Sequence, residues 1–366
     1  MRRIPLYALQ PGMKVARPVH GPEGQVLLQR NMVLTRRYIT QLKCLGLTFL
    51  YIDDGLLDNH DVADVIRDET RYEAVQRVRE LVAAVETPNP VSHVLLRTQQ
   101  AARTVHDIVS DLLEQRHLMV NLVDIRLEDD YLFGHSVNVC ILSLITGITL
   151  GLKREQLAQL GIGSILHDVG KGLIPHDILY KAGSLTAAEF DIVKKHTTKG
   201  YDLLHTMPEG REVALEHHER YDGHGYPNGK KGEEIHLHSQ IASICDVYDA
   251  VTSARIYRAA HPTHEAVELI SASGNHAFSL NLVHKFLQNI AAYPSGSIVE
   301  LSDKRVGIVI DTPAGFSKYP RVKLLFDQDK QLIKKYTVIN TFEHTTLNIR
   351  KVLTEEEFAA LRGVSI

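Results

Sequence analysis

Residues 217–227 read HHERYDGHGYP. Two adjacent histidines on a helix point about 100° apart. His217 and His218 can therefore serve two neighbouring metals, or one can bind while the other is held behind it. Glu219 can orient a ligand histidine by accepting its second ring N–H. The glycine-rich run that follows must leave the helix and close into a tight loop. Such a loop brings backbone and Tyr226 close to whatever the histidines hold. The segment therefore asks for helices gathered around a site, and two further stretches supply partners.

Upstream, SILHDVGKG (164–172) places His167 beside Asp168 at the end of an apolar run, followed by Gly170, Lys171 and Gly172. A neutral imidazole next to a carboxylate can bind a divalent ion, and an Asp can bridge two ions. Downstream, ASICDVYDAVTSARIYR (242–258) buries Asp246 in an apolar run. A buried carboxylate needs a cation or a hydrogen-bond partner. Asp249 lies three residues on, and Arg255 and Arg258 follow with the bidentate donors that suit phosphate. Two single histidines complete the set. His135 begins the apolar run YLFGHSVNV, and His196 stands in KKHTTKG with Gly200 one turn later. Thr186 and Glu189 form a capping box that opens the helix leading to His196. Nine of the 20 histidines fall between residues 160 and 240, which concentrates the commonest metal ligand in one part of the chain.

The remaining sequence frames this block. A length of 366 residues suits two or three domains. A formal net charge of -3 gives no basic field for long nucleic acid. Cys44, Cys140 and Cys245 are widely spaced and include no CxxC pair, which fits reduced thiols in a cytoplasmic protein. The start has no apolar signal segment. The apolar stretch 137–152 falls short of the roughly 20 residues a membrane span needs, so a buried helix is expected there.

Residues 1–55 read as a small mixed α/β domain. MKVARPV and GQVLLQ flank a turn at HGPEG, TRRYITQLKCLG is a helix ending at Gly46, and TFLYID is a strand. Residues 56–120 read as a charge-rich helical segment broken at ETPNP. Its second half is an amphipathic helix that packs on the next domain or on a partner chain. Residues 121–292 are a succession of helices. Residues 293–366 hold short β-type runs and form a small β-rich domain. The expected class is mainly α, with an α+β block before the helical core and a β block after it.

The order of these elements resembles the HD-GYP subfamily of HD-domain phosphohydrolases: H-S-x-x-V, then HDxGK, a lone helical His, HHExxDGxGYP and DxxDAxTxxRxYR. The likeness covers roughly residues 125–290, and the HHExxDGxGYP string is its most specific part. It implies an all-α HD-domain core with a di- or trinuclear metal centre, usually iron or manganese, with zinc also compatible. By position the ligands would be His135, His167, Asp168, His196, His217, His218 and Asp246, with Asp168 bridging. Lys171 would sit near the scissile phosphate, and Tyr226, Arg255 and Arg258 would contact the dinucleotide. Some members carry a Glu one turn before the first histidine that supports a third metal. Here that position is Tyr131, which favours two divalent ions. The usual R-P-Y-R appears as Arg255-Ile256-Tyr257-Arg258. His224 occupies a variable position and is left out of the ligand set.

The implied activity is hydrolysis of cyclic di-GMP to linear pGpG, with GMP from a second cut. Two alternatives stay open. One is a catalytically weak cyclic-dinucleotide-binding module that signals through protein partners of the flanking domains. The other is a phosphodiesterase for another cyclic dinucleotide. A homodimer through the helical segment also stays open.

Overall fold

The computed structural model describes residues 1–21, 25–57, 65–85, 90–115, 118–120, 131–181, 183–205, 208–253, 261–344 and 346–363. In chain order it begins with strands β1 (Arg2–Pro5), β2 (Lys14–Val15), β3 (Val19–His20) and β4 (Val26–Leu28), helix α1 (Arg36–Cys44) and strand β5 (Phe49–Asp53). Helices α2 (Asp68–Val85), α3 (Pro90–Glu114), α4 (Tyr131–Thr149) and α5 (Arg154–Leu166) follow, then a 3-10 turn at Val169–Leu173. Next come α6 (His176–Leu179), α7 (Ala187–Lys194), α8 (His196–Leu203), α9 (Pro208–Glu216), α10 (Leu237–Thr252), α11 (Thr263–Ala272) and α12 (Leu280–Leu287). The chain closes with β6 (Ile298–Leu301), β7 (Val306–Asp311), β8 (Arg321–Phe326), β9 (Val338–Asn340), β10 (Ile349–Val352) and α13 (Glu355–Arg362). The class is mainly α, as the sequence implies, with the expected strands at both ends.

The chain divides into two compact units. One comprises residues 1–64, 119–131 and 288–366. Its N-terminal sheet has the order β1-β5-β2, all antiparallel. Val15 pairs with Ile52, and both are fully buried. The MKVARPV and GQVLLQ runs do pair, but only through β3 and β4. The MKV end is taken by β5, whose buried face offers more apolar contact than a two-stranded ribbon can. Helix α1 is capped by the Thr35 hydroxyl, which accepts the Tyr38 N–H at 3.2 Å, and Gly46 (φ 71°) stops it where expected. Asp54 accepts the Arg2 Nε at 2.7 Å, an ion pair that ties the end of β5 to β1. The C-terminal sheet has the order β10-β6-β7-β8-β9 and is antiparallel throughout, with Val299, Leu301, Val309 and Val322 buried on one face.

The other unit, residues 65–118 and 132–287, is helical. Helix α3 begins with Pro90, whose missing N–H costs nothing at the first helical position. Its buried stripe of Ala101, Val105, Ile108, Val109 and Leu112 packs against α2 and α5. Helix α4 buries Val137, Val139, Cys140, Ile141, Leu142, Leu144 and Ile145. Each such Leu, Ile or Val contributes about 1.5–3 kcal/mol through burial. The run expected to be a core helix is therefore one, and among the described residues no helix is long and apolar enough to cross a membrane.

Candidate metal centre

Five helix ends and one helix interior deliver the histidines and carboxylates. His135 lies in the first turns of α4, and His167 caps the C-terminus of α5. Asp168 opens the 3-10 turn, and His196 opens α8. His217 and His218 follow α9, and Asp246 lies within α10. Close packing of backbones makes this convergence possible. A Cβ on Gly170 would stand 2.0 Å from the His196 carbonyl oxygen and 2.6 Å from the Gly200 nitrogen. Only glycine lets the turn after Asp168 rest directly on the first turn of α8.

The side chains form two groups. Ligating atoms of Asp168, His196, His217 and His218 lie within 4.8 Å of one another, as do those of His135, His167 and Asp246. The groups adjoin at Asp168, whose Oδ2 is 3.2 Å from His167 Nε2 and whose Oδ1 is 3.4 Å from His196 Nε2. His135 Nε2 is 3.0 Å from Asp246 Oδ1. The structure thus brings together all seven residues that the sequence singled out as ligands.

Three of the imidazoles are oriented through their other nitrogen by backbone carbonyls. Nδ1 of His167 donates to the Ser164 carbonyl at 2.7 Å, His196 to Val193 at 2.7 Å, and His217 to Val213 at 3.0 Å. These bonds fix the tautomer and leave the Nε2 lone pairs facing inward. The Nε2 atoms of His196 and His217 then meet at 3.3 Å. Two lone pairs aimed at each other repel unless a cation lies between them. Among the described residues, His167 Nε2 and Asp168 Oδ1 are buried without a hydrogen-bond partner. Orphaned buried acceptors beside two carboxylates fit divalent metal ions better than any internal hydrogen bonding does.

The protonation states agree with this. Burial, reinforced by His217, lowers His196 to about 3 despite the opposing charge of Asp168. Burial also takes His218 well below the usual range, with His217 and His196 adding to the effect. Burial opposes ionisation of Asp168, but Lys171 and His167 outweigh it and hold the carboxyl well below its ordinary value. His135 differs. Burial acts against its cation, yet Asp246 and Asp249 together raise it to about 9. The two carboxylates thus favour positive charge where His135 Nε2 faces Asp246.

Asp249 is a functional residue that the sequence reading did not assign. Its Oδ2 accepts the His135 Nδ1–H at 2.8 Å, and its Oδ1 accepts the Asn138 amide at 3.0 Å. Arg71 of α2 donates to Asn138 Oδ1 at 2.8 Å. The three residues hold His135 as a second carboxylate holds a metal-ligating imidazole. The signal was present, since Asp246 and Asp249 are three apart and share a helix face. Asp249→Ala is expected to lower metal affinity about 10- to 100-fold while leaving the ligand set complete. Competition with a fluorescent chelator measures this, and an unchanged affinity would remove Asp249 from the account.

Glu219 does not orient a histidine. Its buried carboxylate accepts the backbone N–H of Asn228 at 2.7 Å and of Lys230 at 3.1 Å. The chain turns after His218, so the side chain points into the loop rather than back at the helix. Glu216 does similar work, binding Lys230 Nζ at 2.5 Å and the His236 N–H at 2.8 Å. Together they fasten the GYP loop. Tyr226 donates its N–H to the His218 carbonyl at 3.1 Å and lays its ring on the His218 ring, with centroids 4.8 Å apart. Lys171 Nζ is 2.5 Å from Asp168 Oδ2 and partly exposed, so it borders the cluster. His224 is exposed beside Asp222 and away from the ligands. Arg255 and Arg258 lie outside the described residues. Cys245 is buried, and burial pushes its thiol up to about 12, which suits a core residue.

His238, in the first turn of α10, gives a pH signature separate from the ligands. Burial, with His236 adding to it, lowers it to about 4. The unfolded chain binds a proton there below about 6.5 while the folded chain does not. Stability therefore falls as pH drops from about 6.5 toward 4, by up to about 3 kcal/mol at this site. Urea unfolding of wild type and His238→Gln between those pH values should show a steeper acid loss in wild type. Parallel profiles would contradict the assignment.

Residues 108–279 match the family model described as the HD domain, and residues 298–361 match the KOW domain associated with HD domain. The chain is 34% identical over 233 residues to a cyclic di-GMP phosphodiesterase of Pseudomonas aeruginosa, covering 63% of this chain and 56% of that protein. It is 39% identical over 147 residues to a cyclic di-GMP phosphodiesterase response regulator of Xanthomonas campestris pv. campestris, covering 39% of each. It is 36% identical over 166 residues to the 3'3'-cGAMP-specific phosphodiesterase 1 of Vibrio cholerae, covering 44% of this chain and 38% of that protein. The chain thus spans little more than half the length of the first of these relatives and less of the others.

Proposed function

We propose that this chain, whose residues 108–279 match the HD domain model, is a metal-dependent phosphodiesterase of the HD-GYP kind acting on a cyclic dinucleotide, cyclic di-GMP foremost. The observation that carries the reading is the set of inward-facing acceptors: His196 and His217 Nε2 at 3.3 Å, with His167 Nε2 and Asp168 Oδ1 unpaired in the interior. Asp168, His196, His217 and His218 would hold one divalent ion and His135, His167 and Asp246 a second, with Asp168 standing between the two groups. Imidazole and carboxylate donors suit iron or manganese, and zinc is chemically compatible. When bound, such ions supply Lewis-acid charge at the phosphoryl group and acidify water.

The chain's own residues do the rest. Asp168 keeps its carboxylate ionised between the two groups. Lys171 adds an ammonium at the border of the cluster, where nonbridging phosphate oxygens gain charge. Tyr226 walls the site against His218, and Arg255 and Arg258, by the sequence resemblance, would contact phosphate. The products are linear pGpG and, after a second cut, GMP. We place the catalytic domain at 121–292, with residues 1–55 and 293–366 as regulatory blocks and 56–120 as their helical connection. The cytoplasm, where cyclic dinucleotides and reduced thiols occur together, is the compartment this implies.

The named relatives also favour a second substrate, 3'3'-cGAMP. Comparing kcat/KM for the two dinucleotides, with protein reconstituted anaerobically with iron or manganese, decides between them. Preference for cyclic di-GMP is expected. A reversed preference makes the chain a phosphodiesterase for the mixed dinucleotide, and saturable binding without hydrolysis makes it a binding module.

A further inference from the structure

The geometry points to Phe190 and Lys194 of α7 as the subsite that takes a purine base and the phosphate next to it, an inference that rests on the dinucleotide reading above. The two residues are one helical turn apart and share a face. Phe190 is 46% exposed, a large apolar ring with no place in the core. Its ring instead meets Tyr226 edge to face, with centroids 6.3 Å apart and planes at 81°. Tyr226 in turn lies on His218, so the three rings form a row that starts at the candidate metal centre and runs outward. Lys194 Nζ stands 5.2 Å from the Phe190 centroid and 5.9 Å from that of Tyr226.

The row is held in place from its own helix. Thr186 and Glu189 cap α7 reciprocally, and Lys181 binds both Glu189 oxygens at 2.7 and 2.8 Å. Phe190 is the residue after Glu189, so this network fixes where its ring emerges. Lys194 is steadied by Asp191 at 2.6 Å. An exposed ring face beside a cation, next to a site that handles phosphodiesters, has the chemistry of nucleotide recognition. The π-face stacks on a base, and the ammonium balances the phosphate. Stacking tolerates any base, so this subsite gives grip on a dinucleotide rather than a choice between guanine and adenine.

The chain contains no tryptophan, so Phe190→Trp places a single indole at the subsite. Full-length, metal-loaded Phe190→Trp protein is titrated with a hydrolysis-resistant phosphorothioate analogue of cyclic di-GMP, and separately with dimethyl phosphate, which has no base. Saturable quenching by the first and none by the second is the expected result. In parallel, Phe190→Ala should raise KM for cyclic di-GMP about 5- to 150-fold, the range for one lost base–aromatic stack, with a smaller change in kcat. Phe190→Tyr should restore KM. Normal hydrolysis by wild type with unquenched emission and an unchanged KM in Phe190→Ala overturns the subsite alone. Failure of metal-loaded wild type to bind or hydrolyse any cyclic dinucleotide overturns the functional reading, and the subsite falls with it.

Discussion

Asp168→Ala is expected to reduce kcat/KM by at least about 10³-fold, roughly 4 kcal/mol of lost transition-state stabilisation. The reason is its position where the two ligand groups adjoin. Its Oδ2 is 3.2 Å from His167 Nε2, and its Oδ1 is 3.4 Å from His196 Nε2 and 3.7 Å from His217 Nε2. Asp246 reaches one histidine of each group, His135 at 3.0 Å and His218 at 3.9 Å, whereas Asp168 lies within 4 Å of His135, His167, His196 and His217. On the proposed two-ion reading, removal takes a ligand from both ions and leaves the five histidines with Asp246 as the one carboxylate of the set. The fold should survive, because Lys171 is partly exposed and its ammonium can turn to water when Asp168 is gone. Metal analysis should therefore show depleted protein with an unchanged far-UV circular dichroism spectrum. A fully metallated, active variant would contradict the shared-ligand assignment.

Gly170→Ala is expected to be the most damaging single methyl group in this region. The added Cβ would lie 2.0 Å from the His196 carbonyl oxygen and 2.6 Å from the Gly200 nitrogen, both backbone atoms. Backbone cannot swing aside as a side chain can, so α8 must move, and His196 moves with it. Overpacking of this kind costs about 1–3 kcal/mol or more. Gly200→Ala is the control, because its Cβ would meet Gly170 N at 3.4 Å, an ordinary contact. Thermal melts with and without manganese should show Gly170→Ala melting well below wild type and gaining little from the metal, with Gly200→Ala close to wild type. Equal behaviour of the two variants would mean that the glycine contact does not position the site.

These two sites also show what the sequence makes legible. The ligand histidines and carboxylates are side chains with one chemistry, set in motifs whose order constrains them, so their convergence could be expected. The partners that orient them could not. Ser164, Val193 and Val213 contribute backbone carbonyls, which carry no residue identity. Asp249 was readable in principle, because i, i+3 spacing puts it on the face of Asp246. Arg71 was not, since only packing of α2 brings it to Asn138 across 67 residues of sequence. Glu219 misled because it sits where the helix has already ended, and the turn carries its carboxylate to Asn228 and Lys230. The hairpin near residue 20 came out short for a related reason. Local patterning shows which runs are strands, whereas competition between β4 and β5 decides which of them pair.

The most direct test is product formation from cyclic di-GMP by full-length protein purified anaerobically and loaded with iron or manganese, beside Asp168→Ala and a chelator-treated sample. The account predicts linear pGpG from the metal-loaded wild type, none from the variant, and loss and recovery of activity as metal is removed and restored. Equal product from the chelated and metal-loaded samples, or none from fully metallated wild type, would contradict it.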